Sequence, residues 1–150
     1  MQLVVLSFTE SGPMFERCLY FNTNTLARKL NARWEKAFAS FDLPPSHAYL
    51  LRLVLESPGL TQQQLAKELQ LNKSTVTRFV AALEKKKLLE RKSTSEDQRE
   101  NSIWPTHKAT AIKLKLERLG DDLYSSMCEA IGRENVEYFV KAAKQFNERL

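Results

Sequence analysis

The sequence predicts a mainly α chain with one small β wing, and three observations carry that prediction. Apolar residues recur at helical spacing along most of the 150 residues. Four glycines and five prolines leave little turn material, while 27% charged residues suit helices. One stretch, Leu88–Pro105, instead reads as two short strand-like segments around a polar loop. The length suits a single domain with one core.

The elements follow in order. Met1–Met14 ends in Ser11, Gly12 and Pro13 and reads as an arm without assigned function. From Phe15 to about Phe41, Leu19, Leu26, Leu30, Trp34, Ala37, Phe38 and Phe41 mark a long helix, which Asp42–Pro45 ends. Ser46–Ser57 is apolar on nearly every side, so its helix should be covered and act as a support. Pro58 and Gly59 then break the chain.

Leu60–Lys87, LTQQQLAKELQLNKSTVTRFVAALEKKK, is the stretch around which the rest is arranged. Thr61 is an N-cap, and Gln64 three residues later completes a capping box. Asn72 caps a second, longer helix after a turn of about three residues. In that helix Val76, Phe79, Val80 and Leu83 form one buried stripe. Ser74, Arg78 and Lys85 lie opposite, with Thr75 and Thr77 on the flanks. A helix face selected for solubility alone would more often alternate Glu and Lys. Short hydroxyls and a guanidinium are instead the groups that approach a base edge or grip guanine in two places. Two helices joined so tightly, the second with this face, have the form of a helix-turn-helix.

Leu88–Lys92 and Glu100–Pro105 are the expected strands of the wing, with Ser93–Gln98 as its loop. Thr106 caps a helix carrying Ile112, Leu116, Leu119 and Leu123, a stripe expected to be unpaired within the reading head. Gly132 separates it from a last amphipathic helix with Val136, Phe139, Val140, Ala143 and Phe146.

Across Leu43–Ala109 these pieces resemble the MarR family of bacterial transcription regulators. LPPSHAYLLRLVLESPGLTQQQLAKEL, NKSTVTRFVAALEKKKLLERKSTSEDQREN and THKA stand in the family's order. The resemblance implies a winged helix-turn-helix head over about residues 46–105. Helices over about 15–41 and 107–150 would pair two subunits into a homodimer. It also implies a DNA-binding set: Ser74, Thr75, Thr77 and Arg78 toward bases, Lys73 and Lys92 toward phosphates, and Arg99 toward the minor groove with Asp97 orienting it. Asp97, Gln98 and Arg99 match the wing's Asp-x-Arg. Glu100 after that arginine and Ala109 in place of a usual glycine are departures.

The implied activity is transcription regulation, with repression of a palindromic operator on double-stranded DNA as the expected form. Relief would come from a small aromatic or anionic effector or from cysteine oxidation. Tyr20, Phe21, Trp34, Phe38 and Tyr49 are candidates for lining an effector pocket. Cys18 stands near the start of the first long helix, somewhat as in the organic-peroxide-sensing branch, and Cys128 is its candidate partner from the other subunit. The tyrosines that hold the reactive thiol in that branch are absent, since Asn22 and Ala32 occupy those positions.

Charge and composition bound the alternatives. A net charge of +5 suits a polyanionic partner without demanding one. No stretch reaches the ~18 apolar residues of a spanning helix, and Leu3–Leu6 lacks the basic flank and length of a signal peptide, so a cytoplasmic chain with reduced thiols is expected. The two histidines, His47 and His107, belong to no nucleophile or metal motif, and neither cysteine sits in a CxxC pair. The expectation is therefore a non-enzyme with no cofactor and no metal. The competing class is a winged-helix protein-docking module, against which the polar, basic face of the second helix argues.

Overall fold

The structure, a computed structural model, describes residues 15–94 and 97–150, with side-chain surroundings for all of these except 94 and 97–100. The arm Met1–Met14 lies outside the described residues. Helix α1 spans Leu19–Phe38 and so begins four residues after the Phe15 expected from spacing. The reason is local. Cys18 has an extended backbone and caps the helix, its Sγ accepting from the Phe21 amide at 3.4 Å. The Asn22 side chain donates to the carbonyls of Phe15 and Cys18, both at 2.9 Å, which holds the preceding residues in a turn.

A single 3-10 turn, Ala39–Phe41, and left-handed Asp42 end this helix. Helix α2 spans Pro45–Glu56, with Pro45 in the first turn where its missing N–H costs nothing. Helix α3 spans Gln62–Glu68 and α4 spans Lys73–Lys85. The strands are β1 (Leu60–Thr61), β2 (Leu89–Thr94) and β3 (Asp97–Pro105), and they form an antiparallel sheet in the order β1-β3-β2. Helices α5 (His107–Ile131) and α6 (Arg133–Arg149) complete the chain.

Two features of the sheet differ from the sequence expectation. The wing strands reach further toward their tip than Lys92 and Glu100, because the pairing persists to Thr94 opposite Asp97. Strand β1 was not expected at all. Gly59, at φ 90°, turns the chain so that its amide meets the Ile103 carbonyl at 2.8 Å and Leu60 pairs with Ile103. That conformation favours glycine, and the site has no room for a side chain: a Cβ there would sit 3.0 Å from the Trp104 ring.

One core joins α2, the reading head and α5. Phe38, Leu50, Leu51, Val54, Leu65, Val76, Val80, Leu83, Ile103 and Leu116 are completely buried. Each such side chain is worth roughly 1.5–3 kcal/mol over leaving it exposed. Leu116 and Leu123 being buried corrects the expectation for α5: its stripe is covered within one chain, with Ile112 and Leu119 packed on the same core. Helix α5 is long enough to run back across α2 and α1, so the head and the terminal helices share a core. Among the described residues, apolar surface is left open on α6, where Phe139 and Phe146 are each about half exposed and no residue is buried, at the start of α1, and at Leu114 and Ile131 on α5.

Candidate nucleic-acid interface

The interface candidate is built on α4 and the elements that aim it. The Asn72 side chain accepts from the Thr75 amide at 2.8 Å and from the Ser74 hydroxyl at 2.8 Å, so one residue both caps the helix and holds its first outward hydroxyl. The Thr61 and Gln64 capping box closes as expected, at 3.2 and 2.8 Å. Neither α3 nor α4 stops at a glycine. Gln70 and Lys87 take the left-handed conformation instead, at φ 54° and 59°. The amides of Leu71 and Leu88 then reach back to Ala66 and Leu83, and those of Gln70 and Lys87 to Lys67 and Glu84. Both ends are Schellman motifs without their usual residue.

With α4 set in this way, Val76, Val80 and Leu83 are buried and Lys73, Ser74, Thr77, Arg78 and Lys85 are exposed, with Thr75 partly covered. Arg78 reaches toward Thr75 at 3.5 Å, beyond a firm hydrogen bond. Among the described residues no carboxylate pairs with Lys73, Arg78 or Lys85. The cations on this face are thus available to a polyanion. Thr77 departs from the other base-facing candidates: its hydroxyl lies 2.6 Å from Gln62 Oε1 and 2.9 Å from the Lys73 carbonyl.

The wing is tied to α4 by Arg91, whose Nε donates to both carboxylate oxygens of Glu84 at 3.0 and 3.1 Å. Lys92 stands beside it, exposed, its ammonium 3.1 Å from Glu90 and 4.7 Å over the Trp104 ring. Trp104 is itself fixed, donating to Ser102 at 2.9 Å, while Ser102 donates to the Lys92 carbonyl. Asp97 and Arg99 fall on the strand at the wing tip, and their side chains lie outside the described residues.

Behind α4, the His47 ring packs on Phe79 with centroids 4.3 Å apart. Partial burial, helped by the charge of Lys86, holds its pKa below the ordinary histidine value. Lys86 also pairs with Asp42, and that hydrogen bond and charge lower the aspartate's pKa. Lys108 on α5 donates to the Lys86 carbonyl at 2.9 Å, and Thr106 to that of Lys87 at 2.7 Å. The end of α4 is therefore bound to the start of α5.

The five aromatic residues considered for an effector pocket do not gather within one chain. Trp34, Phe38 and Tyr49 do meet: the indole donates to the Tyr49 hydroxyl at 3.1 Å, and the Phe38 and Tyr49 rings lie 6.2 Å apart. Tyr20 is 14 positions before Trp34 on the same helix, roughly 21 Å along its axis, and is 79% exposed. Phe21 stacks on Phe15. Both cysteines are free and partly exposed. The Tyr124 phenol has its pKa raised, chiefly by the neighbouring Cys128 thiol.

Sequence reasoning missed Gln62, Arg91 with Glu84, and the Lys108 anchor. Each joins residues on different elements, and only the charge opposition of Arg91 and Glu84 was visible in the chain.

Comparison with known proteins agrees with this architecture. A family model described as MarR family matches residues 41–100, from the 3-10 turn after α1 into β3. Transcriptional regulator HosA of Escherichia coli O157:H7 is 23% identical over 120 residues, 80% of this chain and 87% of that protein. The uncharacterized HTH-type transcriptional regulator YybA of Bacillus subtilis (strain 168) is 24% identical over 96 residues, 64% of each chain. Among solved structures, the transcriptional repressor CouR bound to a 23-mer DNA duplex superposes with a TM-score of 0.81 at 19% identity, covering 91% of this chain and 99% of that one. The S. aureus MepR–DNA complex gives 0.77 at 20% identity, covering 86% and 95%. This chain is thus similar to the MarR family over its reading head, and it shares the fold of CouR and MepR along nearly its whole length.

Proposed function

We propose that the protein is a sequence-specific double-stranded DNA-binding transcription regulator that acts as a homodimer and represses by occupying promoter DNA. One observation carries the reading: α4 has one face sealed in the core and the opposite face exposed, short-chained and cationic, with no carboxylate to neutralise it among the described residues. That is the form of a helix that enters a major groove. CouR and MepR, whose folds this chain shares, are solved on DNA, which supports the reading by likeness.

Phosphate contacts from Lys73 and Lys92 supply affinity, base contacts from Ser74, Thr75 and Arg78 supply specificity, and Arg99 on the wing senses the minor groove. No covalent step is required. The open apolar stripe on α6, with Phe139, Val140 and Phe146, is the surface the second subunit covers. The effector site centres on Trp34, Phe38 and Tyr49, where α1 meets α2; oxidation at Cys18 is the alternative signal.

The decisive test is duplex selection from a random library, followed by binding against salt with protein of known oligomeric state. Enrichment of a palindrome, with log K falling steeply against log salt, establishes the regulator. A folded dimer with a shallow slope and no enriched sequence would refute it in favour of a protein-docking module.

A further inference from the structure

Gln62 opens α3, and its side chain crosses to α4, where its Oε1 lies 2.6 Å from the Thr77 hydroxyl. That hydroxyl is also 2.9 Å from the Lys73 carbonyl. A hydroxyl carries one hydrogen, which these two acceptors share, so Thr77 has no donor left for a base edge. The contacts also orient Gln62. Its carboxamide is planar, so with the oxygen held against Thr77 the NH2 points away from the contact between the helices, leaving two donors for an acceptor outside it.

The first helix of a helix-turn-helix crosses the sugar-phosphate backbone when the second enters the groove, and glutamine amides are among the groups that bind phosphate oxygens there. Resting on the DNA-binding reading above, we propose that Gln62 is a phosphate-contacting residue, its amide NH2 donating to one backbone oxygen in each half-site. Thr77 is then the positioning residue that aims it and donates to no base.

A free glutamine loses rotamer freedom when it binds, whereas this one has lost it already in folding, so the contact forms at smaller entropic cost. Because Gln62 is fixed to the helix that carries Arg78, one phosphate contact also sets the register in which Arg78 meets its base.

The test uses the whole protein on its selected duplex, with each phosphate replaced in turn by a neutral methylphosphonate. Wild type, Gln62→Ala, Thr77→Val and Thr77→Ser are compared, each checked by thermal melting. Wild type should lose about fivefold in affinity at one phosphate per half-site, and Gln62→Ala and Thr77→Val should be indifferent to that replacement. Thr77→Ser, which keeps the hydroxyl, should restore the wild-type pattern. If Thr77→Val melts early, the other two variants carry the comparison. A Gln62→Ala protein that binds as wild type does, or binds weakly with the wild-type phosphate pattern intact, overturns the assignment and leaves the DNA-binding reading standing. A wild-type protein that selects no duplex overturns both.

Discussion

Arg78 and Lys92 are both exposed cations on the proposed DNA face, yet their surroundings give them different roles. Arg78 projects from the second turn of α4 with only a long contact to Thr75, so its planar fork is free to bind guanine. Arg78→Ala should cost about 1–3 kcal/mol on the selected site and relax one base position, and equal losses on operator and random duplex would remove it from the specificity set. Lys92 lies over Trp104 beside Glu90, a compact charge on the wing. Lys92→Ala should weaken all duplexes alike and reduce the salt slope by about one, as read from the same titrations. Asn72 acts on stability as well as position. Removing its cap with Asn72→Ala should lower unfolding free energy by about 1 kcal/mol in urea titration.

Two elements, α3 and α4, end in conformations that their residue types do not favour, and a histidine between α2 and α4 has its pKa lowered. Gln70 ends α3 in the left-handed region without glycine's freedom. Gln70→Gly should therefore stabilise the head by about 0.5–1 kcal/mol, measured in the same denaturant assay. Gly59 is the converse case: at φ 90° and with Trp104 3.0 Å from any Cβ, it tolerates no side chain without moving the wing. Between α2 and α4, partial burial and the Lys86 charge keep the His47 pKa below its ordinary value, so the unfolded chain binds that proton better than the folded one. The contribution is intact above about pH 6.5 and is lost as pH falls toward and through the lower folded value. Replacing His47 by leucine should flatten the stability profile between about pH 7 and 5; an unchanged slope would assign that loss to another group. Asp42, also lowered, acts below the ordinary carboxylate value and so outside this window.

At the scale of the molecule, the head and the terminal helices are coupled through α5. Its first turn holds the end of α4 through Thr106 and Lys108, and its middle shares the core with α2. A displacement of α5 therefore moves the helix that carries Arg78. In the proposed dimer a second copy covers the apolar stripe of α6, and the twofold would set the two α4 helices about 34 Å apart, one turn of DNA. A double change, Phe139→Glu with Phe146→Glu, should yield monomers by light scattering and weaken operator binding about 100-fold or more, since each half-site must then be bound alone. Dimers that persist would move the subunit interface elsewhere.

What the sequence determined by itself was local. Caps, breaks and the alternation of buried and exposed positions on α4 follow from neighbours three or four residues apart, so Thr61, Asn72, Thr106 and the Val76, Val80 and Leu83 stripe were legible in the chain. The same holds for the two wing strands. Tertiary structure decided what distant residues do to one another. Strand β1 exists because Ile103 offers a partner to Leu60, and α5 is covered because it folds back over α2. Thr77 faces outward by helical geometry alone, but its hydroxyl is occupied because Gln62, 15 positions earlier, is brought against it. The aromatic set divided for the same reason in reverse: spacing on one helix puts Tyr20 and Trp34 on related faces, while the packing of α2 reaches only Trp34 and Phe38. Helical periodicity is written in each segment, and contacts between segments depend on which hydrophobic faces find each other when the chain closes on one core.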